Sequence, residues 1–185
     1  MIIQFHKARA GKHLMVLGAF ASTFLGSGAS AATQGTLGAT STGTVAINAS
    51  VANRARITGL VDVNFNAVDP STNASAVQNV CVWSNTATGR YTITASGGGS
   101  PSAFTLTGGI PYAVEWAASG GQSSGTALTS GTASASLTSA ATNQSCSTLS
   151  TLSASLIVRI ASTDLLTMTA GTGYAGTLTL LVTPL

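Results

Sequence analysis

In one short segment after another of this chain, apolar residues fall at every second position, a period that dictates extended backbone with one side turned toward a core. Residues 56–65 place Ile57, Val61, Val63 and Phe65 on one side and Thr58, Asp62 and Asn64 on the other. Residues 77–83 form a compact apolar run holding Cys81, and residues 90–95 set Tyr91, Ile93 and Ala95 against Thr92 and Thr94. The pattern continues through Phe104 with Leu106, then Tyr112, Val114 and Trp116, then residues 133–137, then Leu156, Val158 and Ile160. It ends in residues 174–183, where Leu178, Leu180 and Val182 oppose Thr177 and Thr179. Gly- and Ser-rich stretches separate these runs, Asp69-Pro70-Ser71 reads as a turn, and no amphipathic helix stands out beyond a turn near Asp164. About eight or nine short strands at this spacing predict an all-β chain, an antiparallel immunoglobulin-like β-sandwich, with a closed barrel as the other architecture the period allows.

The opening residues follow a different rule. Lys7, Arg9 and Lys12 precede an apolar run at 14–25 and the small residues Ala29, Ser30 and Ala31, which is the pattern of a signal peptide cut after Ala31. The apolar run is about half the roughly twenty residues a spanning helix needs, so no membrane span is expected after cleavage. Of 185 residues, removal of 31 leaves 154, the size of one domain.

Without the leader the chain has no histidine and no lysine. Arg54, Arg56, Arg90 and Arg159 face Asp62, Asp69, Glu115 and Asp164, so the formal charge falls from +3 for the whole chain to zero. A neutral body has no cationic face for phosphates, which excludes nucleic acid as a partner. Disorder is excluded by the recurring Val, Ile, Leu and aromatic residues.

Four scattered carboxylates and no histidine leave little for acid–base catalysis, and the many serines lie in no nucleophile elbow. No enzyme activity is expected. No cofactor or metal is expected either: zinc lacks ligands, and Asp62 and Asp69 lie in no Asp-rich calcium loop. Glu115, between Val114 and Trp116, turns outward by alternation. Trp83 and Trp116 read as core or edge packing ahead of a carbohydrate platform. The Asn-x-Ser triplets at Asn48, Asn73 and Asn143 are expected by chance in so Ser-rich a chain. Cys81 and Cys146, the only cysteines, are expected to pair in an oxidising compartment, closing a loop of about 66 residues for roughly 4 kcal/mol.

Directly behind the leader, Val45, Ile47, Ala49 and Val51 alternate with Ala46, Asn48 and Ser50. This early strand either pairs within its own domain or reaches the open edge of a neighbour. Three segments carry a resemblance: Gly43-Thr-Val-Ala-Ile-Asn-Ala-Ser-Val51, Asn79-Val-Cys81-Val-Trp83, and Tyr174-Ala-Gly-Thr-Leu-Thr-Leu-Leu-Val-Thr-Pro184. In their order the chain resembles chaperone-usher pilin subunits, in particular the archaic or alternative branch with spore-coat-U-like and colonisation-factor-type fimbrial proteins.

That resemblance implies an incomplete sandwich completed by donor-strand exchange, with an extension at 32–52 ahead of a pilin domain at 53–185. Val45, Ile47, Ala49 and Val51 would be the donor strand, and Leu178, Leu180 and Val182 one wall of the acceptor groove. The implied partners are identical or related subunits, a periplasmic chaperone and an outer-membrane usher. The implied location is a surface fimbrium reached through the periplasm, supporting adhesion or biofilm. A competing reading is a monomeric binding module, a small adhesin or glycan-binding sandwich resting on Trp83, Tyr112 and Trp116, with its first strand paired internally. A coat protein is a third.

Overall fold

A computed structural model describes residues 31–149 and 152–185, so the expected signal peptide, but for Ala31, lies outside the described residues. The chain divides into two compact units, Met1–Ser50 and Val51–Leu185. In the described part of the first, Thr33 and Thr44 form one antiparallel bridge, each N–H donating to the other's carbonyl at 2.9 Å. Beyond that bridge residues 45–50 run without strand pairing, with Val45 71% and Ile47 88% exposed.

The second unit is nearly all β. Its strands are β1 (Ala55–Thr58), β2 (Ala74–Ser84), β3 (Arg90–Gly97), β4 (Ala113–Ala117), β5 (Thr126–Ala127), β6 (Leu137–Thr138), β7 (Ala154–Ile160) and β8 (Leu178–Pro184), with a 3-10 turn at Thr107–Gly109 and a short α-helix, α1 (Ser162–Leu165), at the turn foreseen near Asp164. All pairings are antiparallel. One sheet has the order β1-β2-β7-β4-β5 and the other β6-β3-β8. Alternating residues from both sheets meet in the core: Val80 and Val82 of β2, Tyr91, Ile93 and Ala95 of β3, Val114 and Trp116 of β4, and Leu156 and Val158 of β7. Two separate sheets around one apolar layer make a sandwich, so the barrel alternative falls away.

Two strands depart from period two because their outer faces are also covered. Cys81 points away from the main core, yet it is 2% exposed, because a disulfide to Cys146 pins residues 139–149 over that face, where Ala141, Trp83, Leu149 and Leu152 pack. Serine hydroxyls fasten the same loop: Ser139 Oγ donates to the Val82 carbonyl at 2.5 Å, and Ser153 Oγ accepts from Val82 N at 2.7 Å. On β7, Ser155 accepts from Gln122 N at 3.0 Å and donates to the Ser119 carbonyl at 3.0 Å, which seats residues 118–125 on the sheet.

Some expected strands are shorter. Residues 56–65 are not one strand: β1 stops at Thr58, and Gly59, at φ +82°, turns the chain away from β2. Phe104 and Leu106 lie in no strand, their neighbour Thr105 making a single bridge to Pro111. Of 133–137 only Leu137 is in a strand, β6, with one bridge from Ala133 to Thr94. Residues 174–177 precede β8 unpaired with any strand.

Candidate functional site

Gly59 creates the site by sending the chain across the open side of the sandwich. From Leu60 to Val68 the backbone belongs to no sheet, and among the described residues it makes hydrogen bonds only at Val61. Both are to one side chain, Gln78 of β2: Val61 N donates to Oε1 at 2.8 Å, and Nε2 donates to the Val61 carbonyl at 3.2 Å. Val63 and Phe65 nevertheless pack on the core, so the segment stands as a wall whose side chains are seated and whose peptide groups are largely unclaimed.

Opposite it stands β8. Bonded to β3 alone, it is the edge of its sheet, and half of its peptide groups point outward from that edge. Between wall and edge lies a groove of about 1100 Å³, floored by Leu156, Val158 and Ile160 of β7 and flanked by Leu178 and Leu180 of β8. At one end Leu106, Tyr112, Leu165, Met168 and Tyr174 close it. That end is tied down by backbone: Thr107 N donates to the Ala175 carbonyl at 2.8 Å, Ala175 N to Thr107 Oγ1 at 3.1 Å, and Thr169 N to Tyr174 Oη at 2.8 Å. Partial burial raises the pKa of the Tyr112 hydroxyl, which stays neutral across the physiological range.

Of the residues expected at an acceptor wall, Leu178 and Leu180 line the groove. Val182 shares their face but packs on the core outside the lining. The opposing wall and Gln78 go unmarked in the sequence reading, although Gln78 is in phase with Ala74, Ala76, Val80 and Val82 and so falls on the inner face of β2. The expected donor residues Val45, Ile47, Ala49 and Val51 are all exposed.

The remaining polar candidates are structural. Glu115 accepts from Arg159 Nε at 2.9 Å and from Gly125 N at 2.9 Å, so it is no free outward carboxylate. The Gly125 N–H, and after it Arg159, hold its pKa below the usual carboxylate value against the opposing effect of burial. Arg159 also donates to Ser75 Oγ at 3.2 Å and to the Ser123 carbonyl at 2.7 Å, clamping the 118–125 loop. Asp69 caps the foreseen turn, accepting from Ser71 N at 2.9 Å, and that bond lowers its pKa. Trp116 is 3% exposed and donates from Nε1 to Tyr91 Oη at 3.1 Å, which removes it from any surface aromatic platform.

Among the described residues no three His, Cys, Asp or Glu cluster as metal ligands, and no helix is long and apolar enough to cross a membrane. Searches against protein-family models and against curated proteins find no match to this chain.

Proposed function

We propose that this chain is a structural fimbrial subunit of the chaperone-usher kind that polymerises by donor-strand complementation. In this reading Val45, Ile47, Ala49 and Val51 of one copy enter the groove of the next, between β8 and the 60–68 wall. The observation that carries it is a groove with an apolar floor, flanked on one side by the free edge of β8 and on the other by a segment, 60–68, that lies in no sheet and whose peptide groups are largely unclaimed. A small ligand has little use for two rows of backbone donors and acceptors, whereas an inserted strand pairs with both and seats alternate side chains between them.

Topology supports the same reading. A constant-type immunoglobulin sandwich orders its strands A-B-E-D and C-F-G. Here β1-β2-β7-β4 follows the first order and β3-β8 the start of the second, and among the described residues no strand lies beside β8 in the G position. The arm has the complementary chemistry, with Val45, Ile47 and Val51 at 71%, 88% and 81% exposed. Burying these three and Ala49 gives about 4 to 8 kcal/mol at about 1 to 2 each, before any hydrogen bonds. An edge so exposed calls for a periplasmic chaperone until an outer-membrane usher hands the subunit to its neighbour, and the finished fibre lies at the cell surface.

The test compares the exported protein with the double variant V45D/I47D on unheated SDS gels and by electron microscopy. Ladders and filaments are expected from the parent and only monomer from the variant, since two carboxylates cannot enter an apolar groove. Ladders from both, or a monomeric parent, would overturn the proposal.

A further inference from the structure

Gln78 occupies a place where the pattern calls for an apolar residue. Along the inner face of β2 the sequence runs Ala74, Ala76, Gln78, Val80, Val82, and Gln78 lies in the floor of the groove. A primary amide there needs both an acceptor and a donor satisfied. It finds both on one residue, because Val61 N meets Oε1 at 2.8 Å and the Val61 carbonyl meets Nε2 at 3.2 Å. A residue on a neighbouring antiparallel strand, through its own N–H and C=O, would engage Val61 in the same paired fashion. The side chain thus stands in for a strand at the one point where the wall, after leaving β2 at Gly59, is tied back by hydrogen bonds.

Resting on the strand-acceptance reading above, we propose that Gln78 is a positioning residue for strand capture. It holds the wall in place at Val61, open-edged, before a strand arrives, so that capture does not have to order that segment. A wall fixed in its bound conformation lowers the entropic cost of binding, which appears directly as affinity. Gln78 touches the wall, and through the wall it acts on the incoming strand.

The experiment uses the full chain carrying V45D/I47D, which cannot donate its own strand, and a synthetic peptide of residues 43–52 as probe, with binding measured by calorimetry from pH 7 to pH 4. Q78A is expected to weaken peptide binding about tenfold, the loss of two net hydrogen bonds' worth of wall order. Q78E separates positioning from mere packing. Its carboxylate keeps the acceptor for Val61 N but offers the Val61 carbonyl no donor, so binding is weak at pH 7. Once protonated, the acid has the amide's shape with one donor and one acceptor, and affinity returns toward that of the parent as pH falls.

Asp62, the one acid lining the groove among the described residues, is present in every protein compared and cancels. Thermal unfolding without peptide is recorded alongside. A purely structural role would move melting and affinity together in both variants, with no recovery in acid, and would overturn the proposal. Equal binding by parent, Q78A and Q78E at every pH overturns it too, while leaving strand acceptance in place. A parent that does not bind the peptide at all removes strand acceptance itself and this inference with it.

Discussion

Replacing Cys81 and Cys146 together by alanine tests how the segment around Cys146 is held. The two positions are 65 apart in sequence, and in the chain-entropy picture a closed loop of that size restricts the unfolded chain by about 4 kcal/mol. Both cysteines are buried, at 2% and 0% exposed, so trimming each to alanine also leaves a small void costing about 1 kcal/mol. The native loop keeps its serine fastenings on Val82, whose lengths are 2.5 and 2.7 Å, so the folded state changes little and most of the loss arises in the unfolded ensemble. The sum is about 5 kcal/mol, or roughly 10 to 20 °C in melting temperature for a domain of this size. Guanidinium and thermal unfolding of the C81A/C146A protein, on the arm-substituted V45D/I47D background to keep it monomeric, measure it. A loss under about 1 kcal/mol would refute the reasoning, since it would mean that the unfolded chain is already confined there without the link.

Three further outcomes are expected. E115Q removes the carboxylate charge and one of its two acceptor oxygens, so that Arg159 and Gly125 cannot both keep their bonds at this partly exposed site, costing about 1 kcal/mol at pH 7. Because the folded pKa of Glu115 lies below its unfolded value, its stabilisation is complete above the ordinary carboxylate value of about 4.3 and disappears as pH falls through the folded value. Urea unfolding at pH 7 and pH 3 should therefore show the gap between parent and E115Q closing in acid, and a constant gap contradicts it. W116F leaves the buried Tyr91 hydroxyl without its indole donor and opens a void, for about 2 to 4 kcal/mol by chemical denaturation. In a double-mutant cycle with Y91F, the two losses should fall short of additive. G59A forces a side chain into φ +82° and costs about 1 to 2 kcal/mol, read from the urea midpoint.

The strands that make the core are legible because their alternation is strict and their partners are present, as with Tyr91, Ile93 and Ala95 or Leu156, Val158 and Ile160. The disulfide is legible from a cysteine count of two. The 60–68 wall is not, because alternation reports which way side chains point and is silent on whether another strand claims the peptide groups. Val61, Val63 and Phe65 continue the rhythm of β1 although Gly59 has already turned the chain. Half of the groove is visible in Leu178 and Leu180, since the leucines of β8 must face something. The other half depends on Gln78, which reads as an ordinary polar strand residue until its phase with Val80 and Val82 is counted.

The two tryptophans sit in usefully different surroundings. Trp83 packs against the cluster of Cys81, Ala141 and Cys146, and because a nearby sulfur–sulfur bond quenches indole emission, its fluorescence is expected to brighten when the pair is reduced. Trp116 is paired in register with Leu156, whose side chain floors the groove, and its hydrogen bond to Tyr91 keeps the ring in one orientation. The chain therefore has two built-in optical gauges, one for the thiol state of a loop and one beside the groove floor. Each can be read without attaching a dye.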